Sequence, residues 1–492
     1  MLLPITWALA TGMTLTTWFN PFSAPSLYDG ARFLELAILA WISLVFLVFG
    51  DLRQAVVVIN VSLPPRIRLA FGGLAILAAA SVLHSRFPLS ALLEVSLILL
   101  LLHFGTACVI AAKQNKPGTD RIFISSLLAG ALIFSFFFIL TYQAALNAER
   151  PFNWLSPFVT FSNIRFFSQF QAYTLPLMLM PLLAFALPRT LRATIFAIAA
   201  IWWALHFASG SRSVWVALSI STLVIMIGLR HKALPWLVRQ GQLFLTGGMI
   251  YLILAWWTGD FGGNGTYGTD ILRRGLADNG RLELWEAAWT MIRSSPWLGV
   301  GPMHFGFYNF KEAAHPHNSW LQIAAEYGLP LALLLSCLLF WFLGKALRWC
   351  HVPQTAGDRN INICLTTSLL CGLTDGMFSG NTIMPQSQLL LVFVSGWLIG
   401  RNLPTEEFPA CPATKNNLGI IGWLRQTRPQ ALLIMVVVAA LSLQLWEATG
   451  YYTFRKGHAF DWSIRHHPRY WQDGHRPAQA PDLLPTSASL GN

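Results

Sequence analysis

An all-α, polytopic helical integral membrane protein is the fold class this chain predicts, and three observations predict it. Of its 492 residues, 55% are hydrophobic and only 11% are charged, where a soluble domain carries roughly 25% charged residues. Apolar runs of about 16–22 residues recur along the chain, the length a helix needs to cross a bilayer. Lysines and arginines collect in every second loop, as positive-inside topology requires. The alternating-strand pattern of an outer-membrane barrel is not present.

Hydropathy places about thirteen spans, near 2–18, 35–50, 69–84, 90–112, 123–143, 171–188, 193–208, 213–229, 243–257, 329–347, 361–378, 387–400 and 431–447. The first lacks a basic n-region and a small-residue cleavage site, so it reads as a retained span rather than a signal peptide. Between the spans, one set of loops carries Arg53, Arg66 and Arg68; Lys113, Lys116 and Arg121; and Arg189 and Arg192. The same set continues with Arg230, Lys232 and Arg239; Lys345, Arg348 and Arg359; and Lys415, Arg425 and Arg428. The lysine/arginine rule puts these loops in the cytoplasm. The segment 258–328 and the tail then face outward, into a periplasm or its equivalent. Four regions result: N-terminal spans over 1–257, an outward loop over 258–328, C-terminal spans over 329–447 and an outward tail over 448–492.

The net charge of +12 follows from this loop bias. No zinc-finger spacing or aromatic-basic motif accompanies it, so no nucleic-acid partner is expected. The cysteines Cys108, Cys337, Cys350, Cys364, Cys371 and Cys411 form no CxxC pair and fall in spans or cytoplasmic loops, a pattern that needs no disulfides.

The outward segment 258–328 is too long for a simple connector. Its opening run Gly262–Gly268 superficially suggests a nucleotide fingerprint. No strand precedes it and no βαβ unit surrounds it, so it reads as a lid or linker. A helix beginning at Asn279-Gly280 follows, with Leu282, Trp285, Trp289 and Ile292 expected on one packed or interfacial face and Pro296 ending it. Asn318 or Ser319 caps a second short helix through Tyr327, which Gly328 and Pro330 break.

Chemistry concentrates in His315-Pro316-His317-Asn318, at the start of that second helix. A histidine there takes a proton near neutral pH, and backbone N–H groups at a helix start favour anions such as phosphate. His317 is the candidate catalytic base, with His315 and Asn318 supporting it; the plain alternative is a loop histidine that only hydrogen-bonds. A metal reading of the two histidines is weaker, because Asp278, Glu283, Glu286 and Glu312 supply no recognisable ligand spacing. Arg212, in Ser209-Gly210-Ser211-Arg212-Ser213, is either an interfacial anchor or a clamp on phosphate oxygens, for which a planar, permanently charged guanidinium is suited. Ser211 lies beside it as a supporting donor. Arg281 opens the amphipathic helix, where a cation is mildly unfavourable and therefore suggests a role. Arg273, Arg274 and Arg293 read as solvated or as contacts to lipid headgroups. Asp375, near a span end, and Gln386, in the polar stretch Asn381–Gln388, are candidates for binding a sugar; a helix-end hydrogen bond and a tight connector are their plain alternatives. His103 reads as a mid-span residue bonded to a neighbouring helix.

These residues together resemble the O-antigen ligase superfamily, which comprises lipopolysaccharide O-antigen ligases, O-antigen polymerases and bacterial protein O-oligosaccharyltransferases. The resemblance covers most of residues 100–400. It rests on Ser211-Arg212, Arg281–Trp285, Pro296-Trp297-Leu298-Gly299-Val300-Gly301, and His315–Asn318 followed by Glu326-Tyr327-Gly328. The spacing from His317-Asn318 to Gly328 fits the family pattern, whereas Leu331 stands where a small or hydroxylated residue is usual.

The resemblance implies an inverting transferase of a bacterial inner membrane. It would use an undecaprenyl-diphosphate-linked glycan on the periplasmic side, without metal or cofactor. It assigns the essential histidine to His317 and the essential arginines to Arg212 and Arg281. The stretch Asp375–Gln388 and the tail residues Pro468-Arg469-Tyr470-Trp471 look more like the ligases that glycosylate type IV pilin. Transfer to a Ser or Thr hydroxyl of an exported protein such as pilin is therefore favoured over transfer to lipid A core, with polymerisation third. A transporter or flippase of lipid-linked sugars is the alternative of another class. Against it, no internal repeat is evident and the candidate residues gather on one face.

Overall fold

The computed structural model describes residues 27–148, 152, 154, 161, 163–258, 280–307, 313–352, 355–403, 420–457 and 470–471. The expected span at 2–18, the Gly262–Gly268 run, Arg273, Arg274, Asp278, Asn279, Glu312, Cys411, Lys415 and the tail residues 465–469 lie outside them. The described residues are 86% helical, with no strand assigned among them.

In chain order the helices are α1 Leu27–Val48, α2 Gly50–Ser62, α3 Pro65–His84, α4 Pro88–Gln114, α5 Lys116–Asn147, α6 Ile164–Leu177, α7 Met180–Ala184, α8 Arg189–Ser209, α9 Arg212–Leu229 and α10 Leu234–Trp257. They continue with α11 Arg281–Ser294, α12 Ser319–Tyr327, α13 Leu329–His351, α14 Ala356–Asp375, α15 Pro385–Asn402 and α16 Ile420–Gly457. Eight of the described stretches are long and apolar enough to cross a membrane, the longest joining α9 and α10. The polytopic all-α expectation holds.

Individual boundaries differ from hydropathy for one recurring reason: polar residues buried inside the bundle lower the local hydropathy. The first described span starts at Leu27 rather than near 35, because Asp29, Arg32 and Glu35 are all buried. The span expected at 171–188 begins at Ile164, bends through Pro176 and breaks before α7. The last helix runs past 447 to Gly457. A further helix, α2, occupies what reads as a basic loop; Leu52, Val56 and Ile59 form its buried stripe. Arg53 donates to the Phe46 and Leu47 carbonyls at the end of α1, the favourable place for a cation. His103 makes an edge-to-face contact with Phe46 at 4.4 Å, and its Nε2 has no hydrogen-bond partner among the described residues, where a bond to a neighbouring helix was expected.

Small residues let the central helices approach. A Cβ on Gly400 would stand 2.4 Å from the Val109 carbonyl oxygen, and one on Gly396 would stand 2.5 Å from that of Gly105. Gly396 and Gly400 therefore make a small-xxx-small seam between α15 and α4, the contact that substitutes for hydrophobic driving force in lipid. Helix α14 packs on α6, α9, α13 and α15 and buries every residue from Asn360 to Gly372, Thr366, Thr367 and Ser368 included. A helix so enclosed meets protein rather than lipid and tolerates hydroxyls.

The basic loops gather at one end of this bundle. Asp358 pairs with Lys116 at 2.9 Å and with Arg401 at 2.7 Å, and Arg401 also pairs with buried Asp120. Lys113 donates to the Leu403 carbonyl, Asn360 to that of Leu183, and His351 meets that of Gly228. The other end of α14, at Asp375, carries the polar turns described next.

Candidate active site

An open cleft lies where the start of α6, the α8–α9 turn, the start of α11, the His317 turn and the turn after α14 converge. Arg165, Gln169, Ser211, Arg212, Arg281 and His317 line it, together with Ser379. These residues come from five separate stretches of sequence. Three are arginines, and no carboxylate is among the described lining residues.

Each element delivers its side chain for a local reason. Asn163 caps α6 by accepting from the Arg165 N–H at 2.9 Å. Residues 165, 168 and 169 then share one helical face. Ser168 and Gln169 are buried, and the Gln169 Oε1 has no hydrogen-bond partner among the described residues. Helix α8 ends at Gly210, whose φ of +62° suits a residue without Cβ. The reversal brings Ser211 and Arg212 to the start of α9, with the Ser211 and Ser213 hydroxyls 3.3 Å apart. First-turn N–H groups have no acceptor within their own helix and carry partial positive charge, which adds to that of Arg212. The arrangement favours an anion.

The His315–Asn318 turn is fixed from three sides. Asn318 accepts from the N–H groups of Trp320 and Leu321, both at 3.0 Å, and so caps α12 as the sequence predicts. The Trp285 indole, on α11, donates to the Pro316 carbonyl at 3.0 Å. Ser319 donates its N–H to the Gly376 carbonyl and shares a hydroxyl bond with Thr382, each at 2.8 Å. Within the turn the His317 N–H donates to His315 Nδ1 at 3.2 Å. An accepting Nδ1 makes His315 the neutral tautomer protonated at Nε2, which sets it behind His317 rather than in competition with it. The two rings meet edge to face at 4.1 Å. His317 has a φ of +52°, a left-handed conformation uncommon outside glycine. Strain of this kind, held by surrounding bonds, clusters at functional sites.

Asp375 is fully buried beneath the cleft. Its Oδ2 accepts from Ser379 at 2.7 Å and from Asn381 at 3.2 Å, and the charge of Arg281 acts on it. It holds the wall rather than facing solvent. Gln386, in the first turn of α15, is also buried and is not among the lining residues.

Beside the cleft, the stretch Pro296–Gly301 locks onto the end of α12. Val300 donates to the Ala325 carbonyl at 2.9 Å, Gly301 to that of Glu326 at 3.0 Å, and Leu329 back to that of Pro296 at 2.8 Å. The Glu326 carboxylate, fully buried, accepts from the Phe305 N–H at 2.9 Å. Gly299 and Gly328 have φ of +69° and +86°, and a Cβ on either would lie 2.3 Å from backbone across the contact. The two glycine-bearing segments noted in the sequence are thus one scaffold.

Helix α11 packs through Ala287, Ala288, Met291 and Ile292, with Leu284 partly buried beside them. Of the expected Leu282/Trp285/Trp289 face, Leu282 and Trp289 are exposed rather than packed on the bundle, as an interfacial placement would have them, and Trp285 serves the turn. Ile292 alone of that set is buried. The largest side chains recur on one face of α11, whereas its close contact with α12 selects alanines.

The structure brings His317, Arg212, Arg281 and Ser211 into one cleft, with His315 and Asn318 directly behind. Sequence reading missed Arg165, Ser168 and Gln169. Their signal was a polar i, i+3, i+4 pattern just upstream of an apolar run, hidden by averaging hydropathy over a window.

A helical membrane protein with a cationic, histidine-bearing cleft at one end of its bundle is the class these features define. Residues 195–336, from α8 into α13, match the family model described as O-antigen ligase. Over that stretch the chain is similar to the O-antigen ligases, and the match supports a glycosyltransferase family of the ligase and polymerase type. The matched stretch contains Arg212, Arg281, His317 and both halves of the glycine scaffold; Arg165, Asp375 and Gln386 lie outside it. No curated protein matches the chain.

Proposed function

We propose that this protein transfers a glycan from an undecaprenyl-diphosphate carrier to an acceptor hydroxyl, at the outward, periplasmic face of a bacterial inner membrane. The observation that carries the proposal is the convergence of Arg165, Arg212, Arg281 and His317 on one cleft. The domain match supplies the reaction class.

His317 accepts the proton of the acceptor hydroxyl as its oxygen attacks the anomeric carbon. The bond from that carbon to the phosphate oxygen breaks, and its electron pair leaves on the diphosphate. Guanidinium groups and the first-turn N–H groups of α9 stabilise this developing charge. A single displacement of this kind inverts the anomeric centre. Arginines here carry out the charge neutralisation that a metal provides in other phosphate sites, so transfer is expected to proceed without one. The collection of basic loops at the opposite end of the bundle supports an outward cleft.

For the acceptor, the likeness of Asp375–Gln388 and of the Tyr470-Trp471 region to the pilin-directed ligases favours a Ser or Thr of an exported protein. Lipid A core is the alternative. The deciding experiment supplies purified protein with lipid-linked glycan, EDTA, and either pilin or lipid A core. Glycosylated pilin is the expected product. Product on lipid A core alone would reassign the acceptor. Absence of any transfer, alongside movement of lipid-linked sugar across vesicles, would replace the transferase with a flippase.

A further inference from the structure

Arg32, near the start of α1, is 2% exposed. A guanidinium carries five N–H donors in a rigid fork, and here every one finds an acceptor. Nε donates to the Tyr470 carbonyl at 3.3 Å. Nη1 donates to the Glu35 carboxylate and, at 2.8 Å, to Gln388 Oε1. Nη2 donates to the Tyr28 hydroxyl at 3.2 Å and to the Ile383 carbonyl at 2.9 Å. A buried arginine that served only to neutralise Glu35 would need one of these acceptors. Tyr28 is on α1 itself, but three acceptors belong to two parts of the chain far from it: Ile383 just before α15 with Gln388 in the first turn of α15, and Tyr470 beyond α16.

Both of those parts are otherwise well tied. The Tyr470 ring lies 4.8 Å from the guanidinium carbon, and its hydroxyl donates to Gln444 on α16. Trp471 stacks on Tyr451 at 4.1 Å and donates to Glu447 at 2.8 Å. On the other side, Gln388 donates to the Thr382 carbonyl at 2.9 Å, and the Thr382 hydroxyl meets that of Ser319 at 2.8 Å, one residue past the histidine turn. Ile383 donates to the Gly380 carbonyl at 3.1 Å, and a Cβ on Gly380 would stand 2.4 Å from the His315 ring. A short path of hydrogen bonds thus runs from the tail, through Arg32, to Ser319 on one side of the turn that presents His317, while on the other side Gly380 packs closely against the His315 ring.

We propose that Arg32 is a positioning residue: its guanidinium joins the Tyr470-Trp471 tail to the 380–388 loop and through it holds the His315–His317 turn in register with the cleft. The inference rests on the transfer reaction proposed above. Lysine, with its donors on a single point, cannot bridge the three segments at once.

The test uses the full-length protein with Arg32→Lys, Trp471→Ala, the double variant, and Gln388→Met. The last cuts the link while leaving the Arg32–Glu35 pair intact, should Arg32→Lys fold poorly. Donor affinity is expected to stay within about twofold, while kcat per donor-binding site falls about 10- to 100-fold, the effect of a small misplacement of a reacting group. The Arg32 and Trp471 effects should be non-additive, since they act on one path. Hydrogen exchange should rise together in 313–319 and 376–384. Wild-type kcat and unchanged exchange in folded Arg32→Lys or Gln388→Met would overturn the inference. So would a fall in activity matched by an equal fall in donor-binding sites, which marks a folding defect only. If the wild-type protein transfers no glycan, the proposed reaction fails; the exchange data then decide the Arg32 link by themselves.

Discussion

His317 sits in a backbone conformation that costs energy for a residue with a Cβ, and three neighbouring contacts hold it there: Asn318 as a cap, Trp285 on the Pro316 carbonyl, and His315 on the His317 N–H. The cations face it from other elements, so their roles separate from that of the base. Replacing Arg212 with Ala should weaken donor binding and lower turnover together, by about 10- to 100-fold in kcat/KM, because a charged contact to the diphosphate acts in both ground and transition states. Steady-state kinetics with direct donor binding check this; loss of turnover alone would assign Arg212 to the transition state only. Trp285→Phe keeps an aromatic ring, smaller than the indole, and removes the indole N–H. It should slow transfer about five- to tenfold, the effect of one lost hydrogen bond, without lowering donor affinity. The histidine turn was legible in the sequence because it is a dense polar island. Arg165 and Gln169 were not, because they form the first turns of a helix whose remainder is apolar.

At the scale of elements, the site depends on the lock between Pro296–Gly301 and the end of α12. Gly328 accepts no side chain there: its φ is +86°, and a Cβ would lie 2.3 Å from the Trp297 carbonyl oxygen. Gly328→Ala should destabilise by about 1–3 kcal/mol or more, seen as a lower unfolding temperature in detergent; an unchanged midpoint would show that the lock yields freely. The sequence located both halves of this lock, but not that they touch, since the backbone bonds joining them link residues more than 20 positions apart. The all-α, polytopic character was legible in the sequence, whereas which residues of α11 make its close contact was not. On α11 the large apolar residues suggested one face, and alanine-sized contacts with α12 chose another.

Across the whole molecule, the two ends of the bundle carry different duties. At the end away from the cleft, buried Arg401 ties Asp120 on α5 to Asp358 on α14, with Trp397 donating to Asp120 at 2.8 Å. Arg401→Met should lower stability by roughly 3–5 kcal/mol, because it leaves the Asp120 charge buried without its cation. Turnover per folded molecule should stay at the wild-type level, and thermal unfolding paired with active-site titration reads both. A fall in turnover per folded molecule would mean that the far end is coupled to the chemistry. The overall class was plain from composition and loop charge. Boundaries slipped where buried polar residues, such as Arg32 and Glu35 on α1, resemble loop residues to a hydropathy average.

The central claim is that His317 moves a proton in a cleft that binds its donor through other residues. The most direct measurement is donor binding and single-turnover transfer by purified His317→Ala beside the wild type. Donor affinity within about twofold of wild type, with transfer reduced at least about 100-fold, is the expected result. Wild-type transfer by folded His317→Ala protein would contradict the account.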